Sequence, residues 1–578
     1  MENIKNKNIF TSLKKLWPYL RKSKKYIIMY SILSIFEIGI GIVLPLVSAK
    51  IILNITNGLM KQLLYASLTV LIIESFSHLF RFLKDLLYIR IYENTLTSLQ
   101  IAIAEESLKL EIQEIDKKSS GVFIDRLNKD TEEISGLFME YAYWIAYVLS
   151  NFGILFTIFI LNKYLFVYAI ITSACIFIIN KVRLQKQYKL KKQVKKLNEK
   201  KTSLTSELIK GIRDIKLLNA ADNILEQTTD KIIETSKKET TIMNIRRRYL
   251  HCENFFKSFS DFVLIVLGCV LYKKSLLTIP TFIIIYNYQP KIKNLLNGVV
   301  QILEYNKRFI LAADRIFEIV EDGTFKKEKF GKKHIDNLKG KIEFKNVKFK
   351  YDDYEVLKDL SFTINPNEKV AFVGKSGGGK TTIFNLITKL YTANSGKILL
   401  DDTPINSLDY DTVRSNIGVV TQNPYIFDLS IKDNLLLVNK DASMDEIRKA
   451  CKLACLDRYI MRLPNKYDTI LGENGITLSG GQKQRLAIAR ALIMKSKIIL
   501  FDEATSALDN ETQDKIQEAI QNLDENYTII IVAHRLSTVI DCDKIFVLDQ
   551  GKVVESGTHK ELIKKSEIYK SLYNKDMM

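Results

Sequence analysis

Six apolar stretches dominate the first half of the sequence, near residues 26–53, 63–87, 136–161, 164–179, 255–272 and 277–300. A helix needs roughly 20 mostly apolar residues to cross the hydrocarbon of a bilayer, where every backbone polar group must be satisfied internally. Core helices of soluble domains are shorter and carry a single apolar stripe. The run VYAIITSACIFII before Asn180 is apolar nearly all round. Six membrane-crossing helices are therefore expected. Pro280 and Pro290 are expected to bend the sixth. Charges within such helices are costly and often functional. Glu37 lies in the first span, and Glu74 and His78 lie one helical turn apart in the second. They read either as a polar patch in a substrate cavity or as a mutually satisfied group near the interface.

The connections alternate in length. Spans one and two are joined around residues 54–61, spans three and four by little more than Asn162 and Lys163, and spans five and six by residues 273–275. Long, charged, helix-forming stretches lie instead at about 90–135 and 181–252. They are too long for turns, so the membrane helices are expected to run well out of the bilayer. The net charge of +20 settles the side. Lys14, Lys15, Arg21, Lys22, Lys24 and Lys25 precede the first span, and Lys181, Arg183, Lys186, Lys189, Lys191 and Lys192 follow the fourth. Basic residues gather on the cytoplasmic side of membrane helices. The N-terminus and both long connections are thus expected in the cytoplasm. No nucleic-acid motif accompanies the basic excess, so membrane lipids, and not nucleic acid, are the expected surroundings. The start of the chain lacks the apolar core and cleavage site of a signal peptide. The dispersed cysteines match no zinc spacing and read as reduced thiols.

Around residues 321–340 the pattern becomes basic and polar, as in a linker. The alternating run IEFKNVKFKY follows, then strand and helix signals in turn, with VAFVG and IILFD as buried strands. That order implies a mostly parallel sheet with helices. The expected architecture is multidomain: an all-α six-helix transmembrane domain over 1–320, a linker over 321–340, and an α/β domain over 341–578.

Between the strand VAFV and the helical TTIFNLITKL stand Gly374, Lys375, Ser376, Gly377, Gly378, Gly379, Lys380 and Thr381. This is the phosphate-binding GxxxxGK[ST] pattern in its required strand–loop–helix setting, so the α/β domain over 341–578 is expected to be a P-loop NTPase. Glycines let backbone N–H groups approach phosphates, and the helix N-terminus adds a favourable dipole. Lys380 is expected to reach the β- and γ-phosphates and Thr381 to ligate Mg²⁺, with Thr382 beside them. The strand Ile498–Phe501 ends in Asp502 and Glu503. Asp502 is placed to hold Mg²⁺ through water, and Glu503 to act as general base or to position water.

Leu478, Ser479, Gly480, Gly481 and Gln482, followed by KQRLAIARAL, spell LSGGQ at the start of a helix. On these residues the sequence resembles the ATP-binding-cassette (ABC) family. The resemblance implies that this second anion-binding helix tip meets the γ-phosphate held by another subunit, so that two ATP–Mg²⁺ sites form only in a dimer. It also implies roles for four further positions. Tyr351 resembles the residue that stacks on adenine; without the family it reads equally as a strand tyrosine. Gln422 matches the glutamine that senses Mg²⁺ and couples to the membrane domain. Asp509, in Ser506-Ala507-Leu508-Asp509, matches the loop crossing the dimer interface. His534 matches the switch histidine on the γ-phosphate, whereas a lone histidine after an apolar strand is usually structural.

The order of domains resembles exporters. The stretch LNKD–TEEISG, with Gly121 and Arg126 before it, and ELIKGIRDIKLLNA resemble the two cytoplasmic loops whose short transverse helices dock on the cassettes. Asn474 stands where exporters often carry Arg, which removes one charged contact from the family pattern. The resemblance implies a cell-membrane transporter, an ATPase working as a homodimer or as half of a heterodimer, exporting a peptide, a drug-like amphiphile or a lipid. The Lys-, Ile- and Asn-rich composition suggests a bacterial source with AT-rich DNA. An importer on the same architecture would differ only in direction. A soluble ABC-type ATPase acting on DNA or ribosomes would share the ATP motifs but not the apolar spans.

Overall fold

At about 1.5 Å of rise per residue, the longest helices of the chain extend some 70–80 Å, more than twice the ~30 Å of hydrocarbon they must cross. These are α3 (Met60–Ser107, 48 residues), α7 (Lys163–Lys210, 48 residues) and α9 (Ala221–Lys273, 53 residues). The long charged connections are therefore continuations of membrane helices, as their composition implied. The computed structural model describes residues 9–56, 60–117, 120–294, 296–321, 323–375, 377–472, 475–502, 518, 526–533 and 539–577. They divide into two compact units: Met1–Leu108 with Ser119–Thr324, and Lys109–Lys118 with Phe325–Met578.

The first unit is helical. After α1 (Ile9–Leu20) come α2 (Lys24–Thr56) and α3. The excursion from α3 contains α4 (Ile112–Asp116) and α5 (Ser120–Asp125), and a π-helical turn at Arg126–Asp130 leads into α6 (Thr131–Leu161). Helix α8 (Ile212–Leu217) separates α7 from α9, and α10 (Ile279–Asn287), α11 (Gln289–Asn294) and α12 (Asn297–Val320) complete the unit. Among the described residues, five segments are long and apolar enough to cross a membrane: Thr11–Ser48, Met60–Ser107, Tyr143–Leu161, Lys163–Asn198 and Ala221–Lys273. They coincide with the first five expected spans. The sixth is broken into α10, α11 and the start of α12. Pro280 lies in the first turn of α10, behind a Thr278 side chain that accepts a hydrogen bond from the Thr281 N–H. A missing N–H costs nothing there, so Pro280 starts a helix where a bend was expected. Pro290 follows directly on the break at Tyr288, whose hydroxyl donates to the Ile42 carbonyl at 2.7 Å.

Single side chains hold the helix ends and the charges. Asn162 accepts hydrogen bonds from the N–H groups of Tyr164 and Leu165, capping α7, and donates to the Leu276 carbonyl at 2.9 Å. One residue thus joins two hairpin turns. Glu37 is paired with Lys84 of α3 at 2.5 Å, and the Lys84 ammonium lies 4.9 Å from the centre of the Tyr30 ring. Glu37 is therefore a satisfied charge, through a partner that helical spacing could not name. Glu74 and His78 are both exposed on the outer face of α3. Arg126, buried at the π-helical turn, donates to Glu318 at 2.7 Å and to the Arg315 carbonyl at 3.0 Å.

The first excursion differs from expectation. The LNKD stretch is not a separate transverse helix. It is the π-helical turn of a run that continues from Ser120 to Leu161. The separate short helix is α4, ten residues earlier, and the segment Lys109–Lys118 that carries it belongs to the second unit.

That unit is built on two sheets. One has the order β2-β1-β4-β5, formed by β1 (Ile342–Tyr351), β2 (Tyr354–Ile364), β4 (Ser395–Leu400) and β5 (Thr403–Pro404), with β1 antiparallel to both neighbours. The other has the order β10-β9-β3-β8-β7-β6. Its strands β3 (Lys369–Gly374), β6 (Ile417–Val420), β7 (Ile498–Asp502), β8 (Thr528–Val532) and β9 (Lys544–Asp549) run parallel, and β10 (Lys552–Gly557) pairs antiparallel at the edge. A central parallel strand is buried on both faces, and successive side chains alternate between them. Along β7, Ile498 and Leu500 enter one core with Val370, Phe372, Ile530 and Phe546, while Ile499 and Phe501 enter the opposite one with Ala371, Ile531 and Val547. The stretch expected as a linker lies along this unit from Phe325 onward. The Gly331 N–H donates to the Leu408 carbonyl at 2.7 Å, and the Lys389 ammonium donates to the Lys329 carbonyl at 2.6 Å.

Candidate nucleotide site

In an open parallel sheet, ligands bind beyond the carboxyl ends of the strands. Gly374 ends β3, Asp502 ends β7, and Gln422 lies just past β6. The sheet thus gathers residues that are far apart in sequence. Beyond β3 the chain turns sharply into α13 (Lys380–Ile387). Gly374, Gly377 and Gly379 have φ of +156°, +80° and +94°, a region that side-chain-bearing residues rarely adopt. Space forbids a side chain as well. A Cβ on Gly374 would stand 2.3 Å from the Leu548 carbonyl oxygen, and one on Gly379 2.6 Å from Leu357 Cδ2. The bare loop leaves its N–H groups free of side-chain cover at the head of a helix, which is the cradle a polyphosphate needs. The Lys380 ammonium is buried and donates to the carbonyls of Gly374 at 2.9 Å and Lys375 at 3.0 Å. Gly378 donates its N–H to the Lys375 carbonyl. Ser376 lies outside the described residues.

The hydroxyl of Thr381 lies 3.5 Å from Asp502 Oδ1. Two hard oxygen donors suit Mg²⁺, which keeps several waters and combines one or two carboxylates with phosphate oxygens. Among the described residues no group of three or more acidic, His or Cys side chains could hold a metal alone. A metal here would be shared with the nucleotide.

Tyr351 closes the other end. Its ring meets Phe349 and Tyr391 edge-on at 4.8 and 5.2 Å, and its hydroxyl accepts hydrogen bonds from Asn385 at 3.2 Å and Thr382 at 3.4 Å. Thr382 is thereby buried against the tyrosine rather than turned toward the loop mouth. The sequence did not single out Tyr391. Its hydroxyl donates to Asp116, beside α4, at 2.6 Å, and Lys117 pairs with Asp352 at 2.7 Å. Burial, and then the neighbouring Asp116 carboxylate, push the Tyr391 phenol above its ordinary range. The segment Lys109–Lys118 is fastened further by a Glu111 N–H bond to the Lys326 carbonyl at 2.9 Å and a Glu328 N–H bond to the Lys109 carbonyl at 2.8 Å. It therefore ends against the residues that flank Tyr351.

Helix α14 (Tyr410–Asn416) precedes β6. Beyond β6 come α15 (Ile431–Leu436), α16 (Met444–Leu453), α17 (Asp457–Ile460) and α18 (Gly480–Ile493). Ser479 caps α18 in a reciprocal box with Gln482: the Gln482 N–H donates to Ser479 Oγ, and the Ser479 N–H donates to Gln482 Oε1 at 2.9 Å. Ser479 and Gly480 are exposed, whereas Leu478 and Gly481 are buried. The signature thus presents a rigid helix tip on the outside of a single chain. Behind it, Gln484 donates to the Gln422 carbonyl at 3.2 Å, and Arg490 donates to the carbonyls of Tyr425 and Asn434 at 2.9 Å each. The fully buried Asn434 donates in turn to the Phe427 carbonyl at 2.9 Å. This network binds the Gln422 loop to the signature helix. Its members lie within ordinary-looking helices, so only the fold reveals them. Glu503, His534, Asp509 and Asn474 lie outside the described residues.

Fold and loop together define a P-loop nucleotide-binding domain joined to a membrane-crossing helical domain. Comparison with known proteins gives the family. The ABC transporter model matches residues 357–506, and the ABC transporter transmembrane region model matches residues 27–291. The chain belongs to the ABC transporters: it is a multi-pass membrane protein that binds ATP and couples its hydrolysis to transport. It is 29% identical, over 98% of its length and 95% of the relative's, to the uncharacterized ABC transporter ATP-binding protein YfiC of Bacillus subtilis. It is 28% identical, over 97% of each, to the ATP-dependent lipid A-core flippase of Photobacterium profundum. The structure of a bacterial Atm1-family ABC exporter with ATP bound superposes with a TM-score of 0.84 at 24% identity, covering 96% of this chain and 98% of that one.

Proposed function

We propose that two copies of this chain form an exporter in which each ATP is held by the phosphate loop of one copy and the signature tip of the other. The carrying observation is the exposed tip at Ser479 and Gly480, an anion-binding helix start with a bare face in a single chain. In this reading the backbone of residues 374–381 and Lys380 cradle the phosphates, Tyr351 receives the adenine, and Ser479, Gly480, Gly481 and Asp509 complete the site from the other copy. The reciprocal box holds Gln482 so that it fixes the tip. Thr381, Gln422 and Asp502 would hold Mg²⁺, which when bound would draw negative charge from the phosphate oxygens. Glu503 orients the attacking water and His534 touches the γ-phosphate. Gln422, tied through Gln484 to α18, passes the state of the site to the helical part of the cassette. The N-terminus and cassette lie in the cytoplasm, the membrane domain occupies 1–320, and the cassette occupies 341–578.

The lipid-directed name of one full-length relative favours an amphiphilic cargo over a peptide. The test is ATP hydrolysis by the single purified polypeptide in lipid nanodiscs, with Glu503→Gln as the blank. Hydrolysis above the blank is expected. A folded, dimeric sample with no hydrolysis would show that a different partner chain is required, and the homodimer would be abandoned.

A further inference from the structure

A cavity of about 800 Å³ opens in the membrane unit between α7 and α12. Its size falls within the range of small-molecule sites. The lining changes character along α7. Phe177, at the end of the apolar run, lines it from α7, and Val300 and Leu303 line it from α12. The contacts Asn180–Asn297 and Lys191–Glu304 set the two helices side by side, so Val300 and Leu303 form an apolar wall that faces the stretch of α7 after Asn180. Lys181, Lys186 and Lys189 follow over the next turns. At about 1.5 Å per residue, the lining of α7 therefore crosses from hydrocarbon depth to the basic, cytoplasm-facing edge of the bilayer.

The charge of the site is one-sided. Its single acidic lining residue, Glu304, is already paired with Lys191 at 3.6 Å. The Lys186 ammonium stands over the Tyr249 ring at 5.4 Å. Among the described residues Lys181 and Lys189 have no ion-pair partner, and both are exposed. Basic pockets between membrane helices on the cytoplasmic side suit anionic head groups, and an apolar floor beside them suits an acyl chain. We infer that this cavity binds a lipid of the cytoplasmic leaflet that carries an anionic phosphate head group. Its acyl end points toward Phe177, its phosphate lies among Lys181, Lys186 and Lys189, and Val300 and Leu303 form the apolar wall of α12 beside both. As a statement about cargo this rests on the exporter reading; as a statement about a binding site it does not.

The test is native mass spectrometry of the full-length protein with equimolar phosphatidylglycerol and phosphatidylcholine. The wild type is expected to retain phosphatidylglycerol at least several-fold better. The triple variant Lys181→Gln, Lys186→Gln, Lys189→Gln should lose that preference, and Leu303→Trp, which fills the cavity and keeps every charge, should lose the bound lipid. Equal retention of both lipids by the wild type would overturn the site. So would loss in the lysine variant alone with Leu303→Trp unaffected, since the lipid would then sit on surface charge and not in the cavity. Hydrolysis against the Glu503→Gln blank is read on the same samples. Lipid retained without hydrolysis removes the homodimer reading and keeps the site; hydrolysis without lipid preference does the reverse.

Discussion

Two short helices of similar length, α4 and α8, have opposite surroundings. Helix α4 and its flanks are held by Tyr391, Asp352, Lys326 and Glu328 of their own chain. Helix α8 has no buried residue, and Ile212, Leu217 and Leu218 are 49, 75 and 76% exposed. Exposed apolar side chains gathered at one tip signal a missing partner. The difference teaches that the α4 contact is completed within its own unit, while α8 leaves its apolar side chains uncovered within its own unit; in the proposed dimer the other copy would cover them.

The strongest way to break this comparison is Leu217→Asp with Leu218→Asp. Burying a leucine is worth about 1.5–3 kcal/mol, so losing two from an interface should lower cargo-stimulated hydrolysis by about a hundredfold or more. The melting temperature of the isolated protomer should stay unchanged. A fall in melting temperature would mean that α8 is covered by its own chain. On the α4 side the expected signs reverse. Tyr391→Phe should destabilise the cassette by about 0.5–1.5 kcal/mol, the net worth of its hydrogen bond to the exposed Asp116 carboxylate. In a double-mutant cycle with Asp116→Asn, the two losses should fall short of adding.

A smaller effect belongs to the strap beside α4. His334 donates its Nδ1–H to the Asp409 carboxylate at 2.8 Å. Asp409 is held down to about 2, first by Thr412 at the start of α14 and then by His334, while Asp409 raises His334 above its ordinary 6.5. The raised histidine contributes stability that is complete below 6.5 and lost as pH rises through its folded value. The lowered carboxylate contributes above 3.8 and loses its share toward pH 2. The gap in melting temperature between wild type and His334→Ala should therefore be widest between about pH 4 and 6.5 and close at higher pH. Smallest of all, Lys117→Ala removes an exposed pair and should leave the melting temperature unchanged within error.

The loop and the cap of the cassette were legible because their motifs are contiguous. Gly374 to Thr381 and Leu478 to Gln482 each carry their own loop, cap and helix start. The spans were legible because crossing a bilayer sets a length and a composition. What escaped the sequence depends on distant partners. The position of α4 is decided by Lys326 and Tyr391, more than two hundred residues away. Glu37 is settled by Lys84, and the helix turn of the sixth span by a threonine cap that made Pro280 a beginning. The Gln484–Arg490–Asn434 network looked like plain helix until the loop it ties was beside it.

Lys380 has one more consequence. Its ammonium donates to two carbonyls of its own loop, so the charge is held by the chain itself and the strand end is tied to the helix start. In the proposed role, where Lys380 meets phosphate oxygens, binding would exchange one set of good contacts for another. The affinity for nucleotide would then reflect the difference between the two sets, and not the full strength of either.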